Sequence, residues 1–180
     1  MKLVIASDIH GSEKYCKALV ERFYDEGADK LVLLGDVLYH GPRNDLPDGY
    51  LPKGVIALLN PLSDKILCVK GNCDGEVDGM VLDFPVLAEY GYIYDGKREI
   101  YLVHGHNIER NFKTLPKGAL LFFGHTHIPE FTEKDGAYLI NPGSVSIPKE
   151  SSPHSYILYD GESVVWKDVT SGEEYKKENI

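Results

Sequence analysis

A chain of 180 residues, 43% hydrophobic and 26% charged, has the make-up of a soluble globular protein and is expected to fold as one domain over residues 1–180. A formal charge of −9 excludes a broad nucleic-acid surface, which needs clustered Lys and Arg to hold a phosphate backbone. No apolar run approaches the roughly 20 residues of a membrane span, and Met1-Lys2 leads straight into Leu3-Val4-Ile5-Ala6 with no cleavage signal, so the expected location is the cytoplasm, away from any membrane.

Lys2–Ser7 is a near-continuous apolar run that stops at Asp8, as a strand buried on both faces does. Ser12–Glu26 follows with Cys16, Leu19, Val20 and Phe23 at helical spacing, Ser12 as its cap and Gly27 as its end. A second buried run, Lys30–Leu34, stops at Gly35-Asp36 and completes a β-α-β unit. Lys53–Asn60 is a shorter helix that Pro61 should stop, and Lys65–Val69 is a third strand ending at Gly71-Asn72. Further on the chain reads as strands: Arg98–Val103, Ala119–Phe123, Ala137–Ile140, Ser155–Tyr159 and Ser163–Val169, with Asp160-Gly161 as a hairpin turn. The last ten residues are polar and charged and are expected to fray. The pattern predicts an α/β fold of two stacked sheets with helices outside and functional loops at the strand ends.

The residues that end these strands are of one chemical kind. Asp8-x-His10, Gly35-Asp36, Gly71-Asn72, His104-Gly105-His106 and Gly124-His125-Thr126-His127 each close an apolar run. Strands running the same way deliver such ends to one edge of a sheet, where ligand sites gather. Seven candidate metal ligands result: Asp8, His10, Asp36, Asn72, His104, His125 and His127. Two cations sharing a bridging carboxylate would use this many ligands. The mixture of imidazole, carboxylate and amide oxygen suits Mn, Fe, Zn or Ni better than Mg or Ca. Alternate residues of an extended segment face opposite sides, so the D-x-H and H-x-H segments must bend, with Gly11, Gly105 and Gly124 expected to supply the freedom. Two ions about 3.5–4 Å apart can hold a bridging hydroxide and clamp the oxygens of a phosphate. They would also make the site attractive to a small anion despite the negative chain.

The ordered set D-x-H, G-D, G-N-x-D, H-G-H and G-H-T-H, spanning residues 8 to 127, resembles the calcineurin-like metallophosphoesterase superfamily. Three features look like the bacterial YfcE-type phosphodiesterases: Gly71-Asn72-Cys73-Asp74, the stretch Leu38–Asn44 and the stretch Asn141–Lys149. The resemblance implies two stacked mixed β-sheets sandwiched between helices. It places Asp8, His10 and His127 on one metal, Asn72, His104 and His125 on a second, and Asp36 between them, with manganese as a common family metal. The catalytic roles then fall on Asp36, Asn72 and His104, and the implied reaction is in-line attack of a metal-bridging hydroxide on a small phosphodiester.

One departure stands out. Many superfamily members carry a histidine directly after the motif asparagine, where it contacts the phosphate; here that residue is Cys73. A thiol is a weaker donor, which leaves the general acid open and favours diesters with good leaving groups. Cys73, His106, His40 and Arg43 are the candidate substrate contacts, Arg43 because a guanidinium can fork onto a phosphate. Asp74 is read as structural or as a partner to a ligand histidine, the segment Asn141–Lys149 as structural first with substrate contact open, and His154 as exposed. The twelve tyrosines are read as forming no stripe. Cys16, Cys68 and Cys73 are too sparse for a disulfide framework and are expected to be reduced thiols. Two other readings use the same residues: a phosphomonoesterase, and a non-enzymatic scaffold like the retromer subunit of similar size. Self-association is left open.

Overall fold

The computed structural model describes residues 1–108 and 112–180. Its strands are β1 (Leu3–Ala6), β2 (Lys30–Leu33), β3 (Ile66–Cys68), β4 (Gly91–Tyr94), β5 (Glu99–Leu102), β6 (Leu120–Phe122), β7 (Pro129–Lys134), β8 (Ala137–Pro142), β9 (Ser155–Tyr159), β10 (Ser163–Asp168) and β11 (Glu174–Asn179), with helices α1 (Glu13–Asp25) and α2 (Pro52–Leu59). They form two mixed sheets, ordered β11-β10-β9-β1-β2-β3 and β4-β5-β6-β8-β7. Strands β1, β2 and β3 run parallel in the first sheet, and β5, β6 and β8 in the second. The β-α-β unit, the paired mixed sheets and the apolar strands of the sequence reading are all present.

The uninterrupted apolar runs follow from burial on both faces. Along β1, Leu3 and Ile5 enter the core between the sheets, where they meet Ile100, Phe122, Ile140 and Trp166. Val4 and Ala6 face the other way, into a core with Cys16, Leu19 and Phe23 of α1 and Val55 and Leu59 of α2. Over the outer face of the second sheet, Ile108, Phe112 and Leu115 pack on Val103, Leu121 and Phe123. Ser12 caps α1 by accepting from the Tyr15 N–H at 3.3 Å, and Gly27 leaves the helix at a φ of 58°.

Three expectations are corrected. The C-terminal residues do not fray: Glu174–Asn179 pairs antiparallel with β10, so its alternating charges line an exposed edge strand. The second helix ends at Leu59, just before Pro61 as expected, and only its sequel differs: a short 3-10 turn over Asn60–Leu62 follows. His154 is partly buried, stacked on Tyr15 with ring centroids 3.9 Å apart and its Nδ1 2.9 Å from the Val145 carbonyl. Tyr90, Tyr92 and Tyr94 occupy alternate positions at and before β4, all exposed, and Tyr92 meets Tyr101 of β5 at 5.3 Å, which is a stripe on one sheet face.

Candidate metal centre

The carboxyl ends of β1, β2, β3, β5 and β6 reach one edge of the sandwich, and the seven candidate ligands stand there. Hydrogen bonds continue past the strands and lock the loops together. Asp8 N–H donates to Gly35 O at 3.1 Å, His10 N–H to Asp36 O at 2.9 Å, and Gly124 N–H to His104 O at 2.7 Å.

Two groups of side chains form around Asp36. In the first, Asp8 Oδ1 lies 3.4 Å from His10 Nε2 and 3.2 Å from His127 Nε2, and the two imidazole nitrogens are 3.3 Å apart. In the second, His104 Nε2 lies 3.0 Å from Asn72 Oδ1 and 3.3 Å from His125 Nδ1. Asp36 Oδ2 sits 3.8 Å from His10 Nε2 and 3.4 Å from His104 Nε2, between the groups. Ligands about 2.1 Å from a shared cation lie about 3.0–3.4 Å from one another, so most of these spacings are those of coordination edges.

The protons are arranged for the same purpose. The other ring nitrogens of three histidines face carbonyls: His10 Nδ1 donates to Tyr39 O at 2.8 Å, His104 Nδ1 to Leu34 O at 2.7 Å and His127 Nδ1 to Ile147 O at 2.7 Å. That points each Nε2 at the centre, where a cation would displace its proton, the orientation metal-ligating histidines adopt. Asp8 Oδ2 accepts from the His125 N–H at 3.0 Å, while its Oδ1 is buried with no hydrogen-bond partner. A buried carboxylate oxygen with no donor is costly, and a cation at this point would satisfy it. The donor set and this orphaned oxygen fit divalent metal.

The charges are strongly coupled. Burial pushes the Asp8 carboxyl up, but His10 and His127 outweigh it and hold it well below the usual range. Burial pushes the His104 imidazole down, yet the Asp36 hydrogen bond and the Asp8 and Asp36 charges raise it to about 9. His125 is lowered by burial and by the neighbouring His104. The carboxylates thus hold positive charge among the imidazoles, which is the pull a cation would answer.

Two of the three expected glycines take up the bends, Gly11 at a φ of 77° and Gly105 at 118°, but the ligand positions bend as well. Asp8, His10, Asp36, His125 and His127 themselves have φ of 58°, 48°, 55°, 69° and 63°. Residues other than glycine rarely adopt this region, and such strain gathers at functional sites. Gly124 serves a different need: a Cβ there would collide with Ser7 and Asp8. Asp8 is held in its bend by two hydroxyls, Ser144 Oγ and Ser146 Oγ, which donate to its carbonyl at 2.8 and 3.1 Å. Asp74 braces backbone and not a ligand histidine. Its carboxylate accepts from Asp36 N at 2.8 Å, Val37 N at 2.9 Å and Gly71 N at 2.7 Å.

A pocket of about 400 Å³ opens above the centre. Of the four candidate substrate contacts, Cys73 and Arg43 line it. Cys73 Sγ also accepts from Asn72 Nδ2 at 3.1 Å, which turns the amide oxygen toward His104. His106 stands beside the centre, its ring 5.5 Å from that of His104, but exposed and off the pocket wall. His40 does not reach the pocket wall. Its ring packs between Tyr39 and Tyr50 at 4.8 and 5.3 Å, an aromatic contact in place of the substrate contact expected of it. Asn44 and Thr126 also line the pocket, neither named from the sequence, as does Lys149, which ends a segment read as structural with substrate contact open.

The calcineurin-like phosphoesterase superfamily domain matches residues 1–163. The chain belongs to this superfamily. It is 45% identical over 163 residues to the phosphodiesterase YfcE of Escherichia coli K12, covering 90% of this chain and 89% of that one. The solved structure of the E. coli phosphoesterase YfcE superposes with a TM-score of 0.95 at 41% identity, covering 100% of both chains. Zinc-bound Vps29 from Entamoeba histolytica shares the fold, with a TM-score of 0.61 at 21% identity over 100% of this chain and 98% of that one.

Proposed function

We propose that the chain is a dinuclear metal-dependent phosphodiesterase, the activity for which its E. coli relative is named. The observation that carries the reading is the position of Asp36 Oδ2, flanked by His10 Nε2 at 3.8 Å and His104 Nε2 at 3.4 Å. A single carboxylate oxygen between two ligand groups is what a shared bridge requires. Asp8, His10 and His127 would hold one ion, Asn72, His104 and His125 the other, and Asp36 both. When bound, two such cations supply an activated hydroxide nucleophile and Lewis-acid stabilisation of the phosphoryl oxygens. Manganese suits the mixed donor set, with Fe, Zn and Ni as alternatives of similar preference.

The chain's own residues do the rest. The backbone carbonyls of Tyr39, Leu34 and Ile147 orient three imidazoles. Cys73 turns Asn72 and presents a thiol to the pocket where an imidazole would assist a leaving group. Burial and the Asp36 charge push that thiol up to about 12, so it stays protonated and uncharged at neutral pH. Arg43 stands ready to bind a non-bridging or remote anionic oxygen. With no strong acid at the leaving group, a diester with a good leaving group is favoured over a monoester.

The test compares bis(p-nitrophenyl) phosphate with p-nitrophenyl phosphate, using metal-stripped protein with and without manganese. Metal-dependent turnover of the diester with little of the monoester supports the reading. Unchanged turnover and metal content in Asp36→Asn and His125→Ala would sink it.

A further inference from the structure

We propose that Lys149 and Arg43 form the two sides of a rim that binds a second anionic group of the substrate, so that the preferred diesters carry a phosphate or carboxylate beyond the scissile phosphate. The proposal rests on the phosphodiesterase reading and extends it.

The lining of the pocket joins Asp36, Asn72, Cys73, His125 and His127 of the centre with Gly41–Asn44 of the loop after β2 and with Thr126 and Lys149; the centre residues are taken as its floor and the two loop segments as its rim. A volume of about 400 Å³ is that of a small-molecule site and far exceeds one phosphate group. Two divalent cations against the carboxylates of Asp8 and Asp36 leave the floor positive before the rim is counted. A plain diester carries one negative charge, which that floor would meet. The rim cations then have no counterpart on such a substrate. Among the described residues, neither Arg43 nor Lys149 forms an ion pair with the protein's own carboxylates, although acidic residues outnumber basic ones by 28 to 19.

Lys149 is also held in place. Its N–H donates to the carbonyl of His127 at 3.2 Å, and its own carbonyl accepts from Ser152 N at 3.0 Å and Ser152 Oγ at 2.7 Å. The two residues between, Glu150 and Ser151, have φ of 53° and 60°. Two consecutive non-glycine residues in the left-handed region are strained and persist where the surroundings over-determine them. An ordinary surface turn would use Gly or Asn here. This one fastens the base of Lys149 to the residue that closes the first ligand group.

The experiment measures KM and kcat for three p-nitrophenyl esters of thymidine 5′-phosphate: the plain diester, one with a 3′-phosphate and one with a 3′-succinyl carboxylate. Wild-type, Lys149→Met and Arg43→Gln proteins are compared, each loaded with manganese and checked for metal content. The expected result is a wild-type KM about tenfold lower for at least one charged ester than for the plain one, the size of a charge-assisted hydrogen bond. Lys149→Met should raise that KM about tenfold, leave the plain diester within twofold, and leave kcat unchanged, while Arg43→Gln should raise the KM of the charged ester about tenfold more than that of the plain one; the preference should shrink in about 0.5 M salt, which screens exposed charges. Wild-type turnover of the plain diester with no preference for a charged one, or equal losses on all three esters, overturns the rim proposal while the diesterase reading stands. No wild-type turnover of any ester overturns both.

Discussion

The ligand residues carry strain that their neighbours must hold, and Ser144 is the clearest case. Its hydroxyl donates to Asp8 O at 2.8 Å and accepts from Ser146 N at 3.2 Å and Ile147 N at 2.9 Å, all in a fully buried position. Ser144→Ala leaves those groups unpaired, which costs about 1–3 kcal/mol, and frees Asp8 from its left-handed bend. The variant is expected to fold with a lower melting temperature and to bind metal about 10–100-fold more weakly, the usual loss when the support of a ligand is removed. Isothermal titration with manganese reads this; wild-type affinity in the variant would refute the role. The seven candidate ligands were legible in the sequence as polar residues that end apolar runs. Their bends were not, since left-handed backbone at Asp and His leaves no mark of its own. The fate of His40 was hidden for a similar reason: its partners Tyr39 and Tyr50 meet it only through the fold of the loop.

At the scale of elements, single carboxylates join segments far apart in the chain. Asp74 ties the loop after β2 to the loop after β3 through three backbone N–H groups. Asp74→Ala strands those donors in a buried place and is expected to cost about 3–5 kcal/mol, seen as a lower urea midpoint together with lost metal. Glu26, just past α1, accepts from Tyr156 of β9 at 2.9 Å and pairs with Lys167 of β10. Burial raises its carboxyl, but Lys167, Tyr156 and Lys2 outweigh that and hold it below the usual value. A depressed folded-state value means the contribution is present above the unfolded pKa of about 4.3 and is lost as pH falls through the folded one. The stability gap between wild type and Glu26→Gln should therefore be full at pH 7 and close as pH drops below about 4.3; a gap independent of pH would contradict the assignment. α1 and the strand ends were readable because period and cap agree. The edge strand β11 was not, because Glu174–Asn179 is polar on both faces and owes its form to pairing with β10. β4 was missed although Tyr90, Tyr92 and Tyr94 alternate there, since glycine at 91 and the turns around it mask the period.

For the whole molecule, two parallel strand sets in separate sheets point their ends to one edge, and that convergence turns scattered residues between 8 and 127 into a centre. The sheet pairing was readable as a consequence of doubly buried strands, whereas the pocket walls come from loops that carry no periodicity. No helix among the described residues is long and apolar enough to cross a membrane. The central claim is that two ions act together across Asp36. It is tested most directly by titrating manganese into metal-stripped protein while following hydrolysis of bis(p-nitrophenyl) phosphate. The account predicts no activity without metal and a rise that saturates at about two ions per chain, as a two-metal clamp requires. Saturation at a single ion, or full activity in the metal-stripped protein, would contradict it.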